Sequence, residues 1–280
     1  MRDQQALKGI HRLLANEGTT LMGGIPCQPY SRQGQQKAMA DSRAHTLEDI
    51  LQAADLWNVQ AVILECVPGI QQCREAMEKL ERYVRLKGWH QRQLILDLAA
   101  QWPATRKRWW CIMTSLSIPL DEIYAWQQRA TPMTIQDVLP HWGRWNEEEE
   151  HELMLTRHEY EQYSNKQLGM DKRILAHADT CPTILHSYSV ALGPCPCGCR
   201  SSGFDQATLQ AKGLRGCFIQ SPATHQPRFL HPTELASLLT IPASMRMVAS
   251  CRAANCLLGL VSAPLQSLWV FSHLVKAASR

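Results

Sequence analysis

A cysteine, a glutamate and two arginines in the first half of the chain could act on one substrate. A cysteine thiolate is a strong nucleophile, a carboxyl group can hold or protonate a ring nitrogen, and a guanidinium can polarise a carbonyl group. The residues are Cys27, Glu65, Arg106 and Arg108. Taken singly, each has a commoner explanation, because most loop cysteines are inert and most exposed carboxylates are only solvated. Whether these residues meet depends on the strands that carry them.

Short apolar runs typical of buried strands lie next to all four residues. Cys27 comes shortly after the run at residues 20–22, and Glu65 directly follows the run at 61–64. Open α/β sheets hold their active groups in loops at the carboxyl ends of strands, so we expect one cleft to hold both side chains. The two arginines begin a further strand-like segment and are expected to reach the same edge of the sheet.

The first 115 residues alternate between helical and strand patterns. Helices are predicted where apolar residues recur at helical spacing, and strands where short apolar runs are bounded by turn formers. The predicted helices cover residues 4–15, 46–57 and 71–86, the last closed by Gly88, and the predicted strands cover residues 20–22, 61–64, 93–98 and 109–113. This alternation indicates a parallel sheet of the α/β class.

Residues 116–225 have weak periodicity and many turn formers. We expect a smaller, irregular domain there, with the acidic run at 147–150 on a solvated helix face directed away from any nucleic acid. Helical patterns return at residues 232–239 and 253–277. The predicted division is therefore 1–115 for the first domain, 116–225 for the second, and 226–280 for a return to the first.

Composition restricts the class of protein. The chain has 280 residues, of which 45% are apolar, and no apolar run approaches the ~20 residues of a membrane span. The first residues show no secretion signal, and eleven cysteines favour reduced thiols inside a cell over a disulfide framework. A net charge of +4 permits contact with a polyanion without requiring it. We expect an intracellular protein that does not enter a membrane.

A cysteine-rich loop at residues 193–203 could hold a metal ion. Structural zinc sites favour paired ligands two to four residues apart, a spacing that this loop does not show. We therefore predict a loop of free thiols and no metal site, and zinc stays open as the alternative. The candidate ligands for that alternative are Cys181, His186, Cys195, Cys197, Cys199, Cys217 and His225.

Six segments follow one another in an order that is typical of a known family. They are residues 24–34 around Cys27, Asp41-Ser42-Arg43, Glu65-Cys66-Val67, the stretch 104–108 with both arginines, residues 228–235, and residues 254–257. Together they resemble the motifs of DNA (cytosine-5)-methyltransferases. Two positions depart from the family pattern, because Cys66 replaces an asparagine and Ala104 replaces a glutamine. Both replacements remove hydrogen bonds that steady the catalytic loops in the family.

The resemblance implies a role for each candidate residue. Cys27 would attack carbon 6 of a cytosine flipped out of double-stranded DNA, because carbon 5 becomes nucleophilic only in that adduct. Glu65 would hold ring nitrogen 3 and the exocyclic amine. Arg108 would contact the carbonyl at carbon 2, and Arg106 would support the loop. Residues 116–225 would recognise the DNA target.

The resemblance also implies S-adenosyl-L-methionine as the methyl donor. Pro26, Thr46 and Asn255 match positions at the rim of the family's cofactor site. The family builds most of that site from a first βαβ unit of ~30 residues or more, whereas 26 residues precede Cys27. We therefore expect an incomplete Rossmann-like sheet and an incomplete cofactor pocket.

Two other functions fit the same motifs. A chain that keeps the fold but cannot hold the methyl donor would be an inactive DNA-binding or interaction module. One branch of the family methylates transfer RNA, and the loop around Cys27 does not exclude that substrate.

Arg228 and Glu234 are expected to hold the two domains together. The resemblance implies a nuclear location in a eukaryote and a cytoplasmic one in a bacterium.

Overall fold

The computed structural model describes residues 19–31, 38–116, 131, 133–139, 147–164, 174–175, 180–183, 218–221, 224–242, 264, 266–267 and 270. The predicted helix at 4–15, most of the predicted helix at 253–277 and the cysteine-rich loop at 193–203 lie outside these residues. In the described part of the chain, no helix has the length and apolar character that a membrane span requires.

The chain divides into two compact units. Unit 1 comprises Met1–Asp97, Lys107–Trp126 and Trp269–Arg280, and unit 2 comprises Leu98–Arg106 and Gln127–Leu268. The division at residues 115 and 225 that the sequence suggests stays a prediction.

Unit 1 contains a four-stranded sheet. Its strands are β1 (Thr20–Gly24), β2 (Ala61–Cys66), β3 (His90–Asp97) and β4 (Lys107–Thr114), in the spatial order β1-β2-β4-β3. Strands β1 and β2 run parallel, and β4 runs antiparallel to both β2 and β3. All four predicted strands are present, each longer than the apolar run that indicated it.

The expectation of a purely parallel sheet was wrong, because the observed sheet is mixed. The connection between β3 and β4 is the short segment Leu98–Arg106. A parallel crossover needs a dozen or more residues, usually including a helix, so a connection this short returns the chain antiparallel. Apolar periodicity reports which strands are buried but carries no information on their direction.

Two helices cover one face of this sheet. Helix α1 (Thr46–Leu56) buries Leu47, Leu51 and Ala54, and helix α2 (Arg74–Lys87) buries Ala76 and Leu80. Both helices were predicted, and Gly88 ends α2 in the left-handed region at φ 63°, the conformation that glycine adopts without strain. The core beneath them takes one face of each central strand: Val62, Leu64 and Cys66 from β2, and Trp109, Cys111 and Met113 from β4.

Polar contacts join α1 to α2. Asp55 accepts a hydrogen bond from the Tyr83 hydroxyl at 2.8 Å and pairs with Lys87 at 2.8 Å. Glu48 pairs with Lys79. Four short 3-10 turns complete the described part of this region and its connection to β4: Ala38–Ala40, Ser42–His45, Pro68–Gln72 and Leu98–Ala100.

The elements of unit 2 that the structure describes are short. Its helices are α3 (Ile135–Val138), α4 (Glu147–Leu153), α5 (Arg157–Ser164) and α6 (Pro232–Leu238), and its strands β5 (Phe218–Gln220) and β6 (Pro227–Phe229) form an antiparallel pair. Helix α6 begins with a capping box in which His231 accepts from the Thr233 N–H and Glu234 accepts from the His231 N–H. The helix predicted at 232–239 is thereby confirmed.

A buried ion cluster corrects the expectation of a solvated face for one residue of the acidic run, Glu150, whereas Glu148 is exposed. Arg228 is fully buried and donates to both carboxylate oxygens of Glu234 at 3.0 Å. Its Nε also lies 3.6 Å from Glu150, whose side chain is only 12% exposed. Glu150 therefore does not belong to a solvated face, because a buried guanidinium requires carboxylate partners. Arg228 and Glu234 bond to each other within unit 2.

Candidate functional site

Cys27 lies in a tight turn just beyond the end of β1. The backbone N–H groups of Tyr30 and Ser31 both donate to the Cys27 carbonyl oxygen, at 3.0 and 2.8 Å. Residues 27–31 are called the Cys27 turn below. The thiol is partly exposed. Tyr30 is buried and its hydroxyl contacts the Met39 sulfur at 3.6 Å, so the turn is anchored on the protein side.

Glu65 lies beside this turn. Its backbone carbonyl accepts a hydrogen bond from the Ile25 N–H at 2.8 Å, which extends the β1–β2 pairing towards Cys27. A Cβ atom placed on Gly24 would lie 3.6 Å from Glu65 Oε2, so the carboxyl group lies over the end of β1. Glu65 is inside β2, not after it as predicted, because pairing with β4 continues to Cys66.

Arg108 pairs directly with Glu65. Arg108 Nε lies 2.7 Å from Glu65 Oε1, and each side chain keeps 13% of its surface exposed. Trp109 and Trp110 follow in β4 and are completely buried. Trp109 Nε1 donates to Gln93 Oε1 at 3.0 Å, which holds β4 against β3.

Arg106 occupies a different position from Arg108. Its side chain is 1% exposed, and the residue belongs to unit 2. Its carbonyl oxygen accepts from Gln266 Nε2 at 2.7 Å and from the Leu98 N–H at 3.3 Å. This arrangement agrees with a residue that supports the loop, and that role stays a prediction.

The loop before β4 is well supported although Ala104 replaces the family's glutamine. Its backbone pairs with Cys181: the Thr105 N–H donates to the Cys181 carbonyl at 2.7 Å, and the Cys181 N–H donates to the Pro103 carbonyl at 2.9 Å. The sequence had no motif that could indicate Gln266 or Cys181 as supports, because both contacts depend on residues distant along the chain.

Asp41 holds the positively charged guanidinium of Arg43 near Cys27. Asp41 Oδ1 accepts from Arg43 Nε at 2.9 Å and from the Arg43 N–H at 3.0 Å, and Oδ2 accepts from Arg43 Nη2 at 2.6 Å. The hydrogen bond with Asp41 raises the pKa of Arg43, and attraction to the ionised Cys27 thiol adds to this effect. The sequence had identified this pair only as a motif.

Two buried cysteines of unit 1, Cys66 and Cys111, are poor nucleophiles. Burial raises the pKa of the Cys66 thiol far above its usual range, and the neighbouring Glu65 carboxylate raises it further. Burial also raises the pKa of Cys111 to about 12. Because only a thiolate is an effective nucleophile, Cys27 is better suited to attack than either buried cysteine.

The positions expected at the cofactor rim are only partly described. Pro26 and Thr46 are both partly exposed, and Thr46 is the first residue of α1. Asn255 lies outside the described residues.

The metal prediction stays untested. Cys181 is buried and uses its backbone to pair with the loop before β4, and the His225 N–H donates to the Ser221 carbonyl at 2.9 Å. Within the described ranges, no three metal-ligating side chains are grouped. The other candidate zinc ligands fall outside those ranges: His186, Cys195, Cys197, Cys199 and Cys217.

Comparison with known proteins identifies a family and a fold. The model of the family described as C-5 cytosine-specific DNA methylase matches residues 6–250. No curated protein matches the sequence significantly.

Several solved structures share the fold at low sequence identity. The methyltransferase EhMeth of Entamoeba histolytica is 16% identical, with a TM-score of 0.64, over 96% of this chain and 80% of that one. DNMT2 of Spodoptera frugiperda is 16% identical, with a TM-score of 0.61, over 99% and 82%. A putative DNA modification methyltransferase encoded within an E. coli prophage is 15% identical, with a TM-score of 0.64, over 98% and 83%.

Proposed function

Because this chain belongs to the C-5 cytosine-specific DNA methylase family, we propose that it transfers a methyl group from S-adenosylmethionine to carbon 5 of cytosine in double-stranded DNA. The reaction would proceed through a covalent adduct between Cys27 and carbon 6. DNA is held inside cells, so the proposal implies an intracellular protein.

The observation that carries this proposal is the Glu65–Arg108 pair beside the Cys27 turn. The Watson–Crick edge of cytosine presents an acceptor oxygen at carbon 2, then ring nitrogen 3, then an amine donor. A guanidinium donates only, whereas a carboxyl group accepts through an unprotonated oxygen and donates through a protonated one. A guanidinium 2.7 Å from a carboxylate therefore presents its groups in the order that this edge requires. Arg108 would donate to the carbonyl oxygen at carbon 2, and Glu65 would accept from the amine through one oxygen and, carrying a proton on the other, donate to nitrogen 3.

Cys27 would supply the electrons for the reaction. Its thiolate forms a bond to carbon 6, and the ring electrons move so that carbon 5 becomes nucleophilic. Carbon 5 would then take the methyl group as its bond to the donor's sulfonium sulfur breaks and leaves a neutral thioether. A base would remove the carbon 5 proton, and the bond between carbon 6 and the Cys27 sulfur would break to regenerate the thiolate. Glu65 and Arg108 stabilise the charge that develops on the ring during attack.

Three residues of this chain are proposed to line the rim of the site for the methyl donor: Pro26, Thr46 and Asn255. S-adenosylmethionine supplies an electrophilic methyl group. Pro26 and Thr46 keep part of their surface exposed, at the carboxyl end of β1 and the start of α1. Ligands of α/β folds bind at that edge of the sheet, so both residues fit the cofactor rim, and Asn255 is proposed as a third rim residue.

Covalent trapping tests the proposal. In the presence of S-adenosylmethionine, duplex DNA that contains 5-fluorocytosine should form a complex with the protein that survives denaturing electrophoresis, because fluorine cannot leave as a proton does. Cys27→Ser should form none. Cys73→Ser is the matched control, since Cys73 is a buried thiol of the same unit, and it should trap DNA at the wild-type rate.

Three other outcomes would contradict the nucleophile, the substrate or the methyl transfer that we propose. A complex that survives Cys27→Ser would refute the nucleophile assignment. Trapping of 5-fluorocytosine in transfer RNA but not in DNA would replace the proposed substrate. Calorimetry with S-adenosylmethionine separates an enzyme from an inactive DNA-binding module, because no binding at millimolar ligand would contradict methyl transfer by this chain.

A further inference from the structure

The 3-10 turn that follows Glu65 packs against the Cys27 turn without space between them. In this turn, Pro68–Gln72, Gly69 faces the backbone of Tyr30. A Cβ atom at Gly69 would overlap the Tyr30 carbonyl oxygen and lie 3.2 Å from its carbonyl carbon. The obstacle is backbone, which cannot rotate away as a flexible side chain can.

Neither side of this contact is free to retreat. Ile70 is fully buried, its N–H donates to the Val67 carbonyl at 3.1 Å, and its carbonyl accepts from the Cys73 N–H at 2.9 Å. Tyr30 is 4% exposed. An added atom at Gly69 would therefore force the two held segments apart and change the distance between Cys27 and Glu65.

The contact complements the pairing at the other end of the site. The Ile25 N–H bonds to the Glu65 carbonyl before Cys27, and Gly69 meets the Tyr30 carbonyl after it. Backbone contacts on both sides of the nucleophile thus set its distance from Glu65.

We propose that Gly69 is a positioning residue for Cys27, required because its missing side chain lets the segment after β2 reach the backbone of the Cys27 turn. Gly69 does not touch the reacting atoms. Its requirement is for space and not for an unusual backbone angle, since Gly88 is the one described glycine with positive φ. The proposal rests on the function proposed above and deepens it.

Gly69→Ala and Gly88→Ala form a matched pair that tests this inference. Each adds one methyl group to unit 1, but a Cβ at Gly88 meets nothing within 4 Å and is strained only through its φ of +63°. We expect Gly69→Ala to slow trapping on 5-fluorocytosine DNA by on the order of 100-fold, the effect of a misplacement near 1 Å. DNA affinity, measured by fluorescence anisotropy, should stay within twofold. Gly88→Ala should lower the urea midpoint and leave the trapping rate unchanged.

Two results would overturn the inference. One is a trapping rate in Gly69→Ala equal to that of the wild type. The other is a loss that Gly88→Ala reproduces at an equal urea midpoint, which would indicate general destabilisation. If Gly69→Ala does not fold, Gly69→Ala/Ile70→Val carries the same test, because the removed methylene frees space on the buried side of the turn.

A measurement without DNA separates failure of this inference from failure of the proposed function. The alkylation rate of Cys27 by iodoacetamide, followed by mass spectrometry of the peptide, reports the environment of the thiol whether or not methyl transfer occurs. Gly69→Ala should change this rate severalfold and Gly88→Ala should not. Absence of trapping in the wild-type protein would refute the proposed function alone, while an unchanged alkylation rate in Gly69→Ala would refute the positioning role.

Discussion

Arg108 Nε lies 2.7 Å from Glu65 Oε1, across two neighbouring antiparallel strands. Neither side chain is fully buried, so a substrate can reach both groups. Each charged side chain holds the other in place before a cytosine binds. This lowers the entropic cost of ordering the two side chains when the cytosine binds. Because β4 returns antiparallel beside β2, two residues far apart along the chain lie together as an ion pair.

The first prediction concerns this pair. We expect Glu65→Gln and Arg108→Lys each to slow methyl transfer by about 10²–10³-fold, as for the loss of one electrostatic contact in a transition state. Lysine keeps the charge of Arg108 but loses its planar fork. Single-turnover transfer of a labelled methyl group at saturating DNA measures the effect. The control is Lys107→Gln, since Lys107 is 63% exposed and its contact with Asp97 is long, at 3.8 Å. Wild-type rates in both test variants would contradict the assigned roles.

The second prediction concerns the charge near Cys27. Arg43→Gln removes a cation that attracts the Cys27 thiolate and leaves Asp41 without that cation, and both changes disfavour ionisation of the thiol. Alkylation of Cys27 should therefore shift to higher pH. Asp41→Asn removes the negative charge but keeps an oxygen that can cap the Arg43 N–H, so alkylation should not shift upward. Glu65 and Arg108 are unchanged in both variants. Equal shifts in the two variants would show that the effect is not electrostatic.

The third prediction concerns the buried ion cluster of unit 2. Arg228→Met leaves Glu234 buried at 2% exposure without its bidentate partner, which we expect to cost about 3–5 kcal/mol in the free energy of unfolding. Glu150→Gln should cost less, because Glu234 still neutralises Arg228. Urea denaturation gives both values. Arg157→Gln, which removes a 93% exposed arginine from a surface pair with Glu161, should leave the midpoint unchanged. A urea midpoint for Arg228→Met equal to that of the wild type would show that the cluster contributes no net stability.

The fourth prediction concerns alkaline pH. Burial raises the pKa of Cys111 from its ordinary value of 9.0 to about 12 in the folded protein. Below pH 9 this thiol is protonated in both states. Between pH 9 and 12 only the unfolded chain ionises it, so stability falls by about 1.4 kcal/mol per pH unit from this group. Cys111→Ala should be less stable at pH 7.5 and should lose less stability as the pH rises. Parallel pH profiles for the two proteins would contradict this assignment.

Much of the local structure was predictable because it depends on residues close together along the chain. The apolar spacing of α1 and α2, the left-handed cap at Gly88 and the four strands each follow from short-range chemistry. The motif around Cys27 is also a local feature, so it identified the family from the residues alone.

The relationships that make a site of these residues are decided by the tertiary structure. The order of the strands in the sheet, the pairing of Arg108 with Glu65 and the burial of Glu150 beside Arg228 all depend on positions separated by tens of residues. The need for glycine at position 69 depends on a carbonyl group in another loop. Local sequence determines which elements form and which side chains could react. Only the packed backbone decides which of those side chains meet, because long-range contacts set the distances between them.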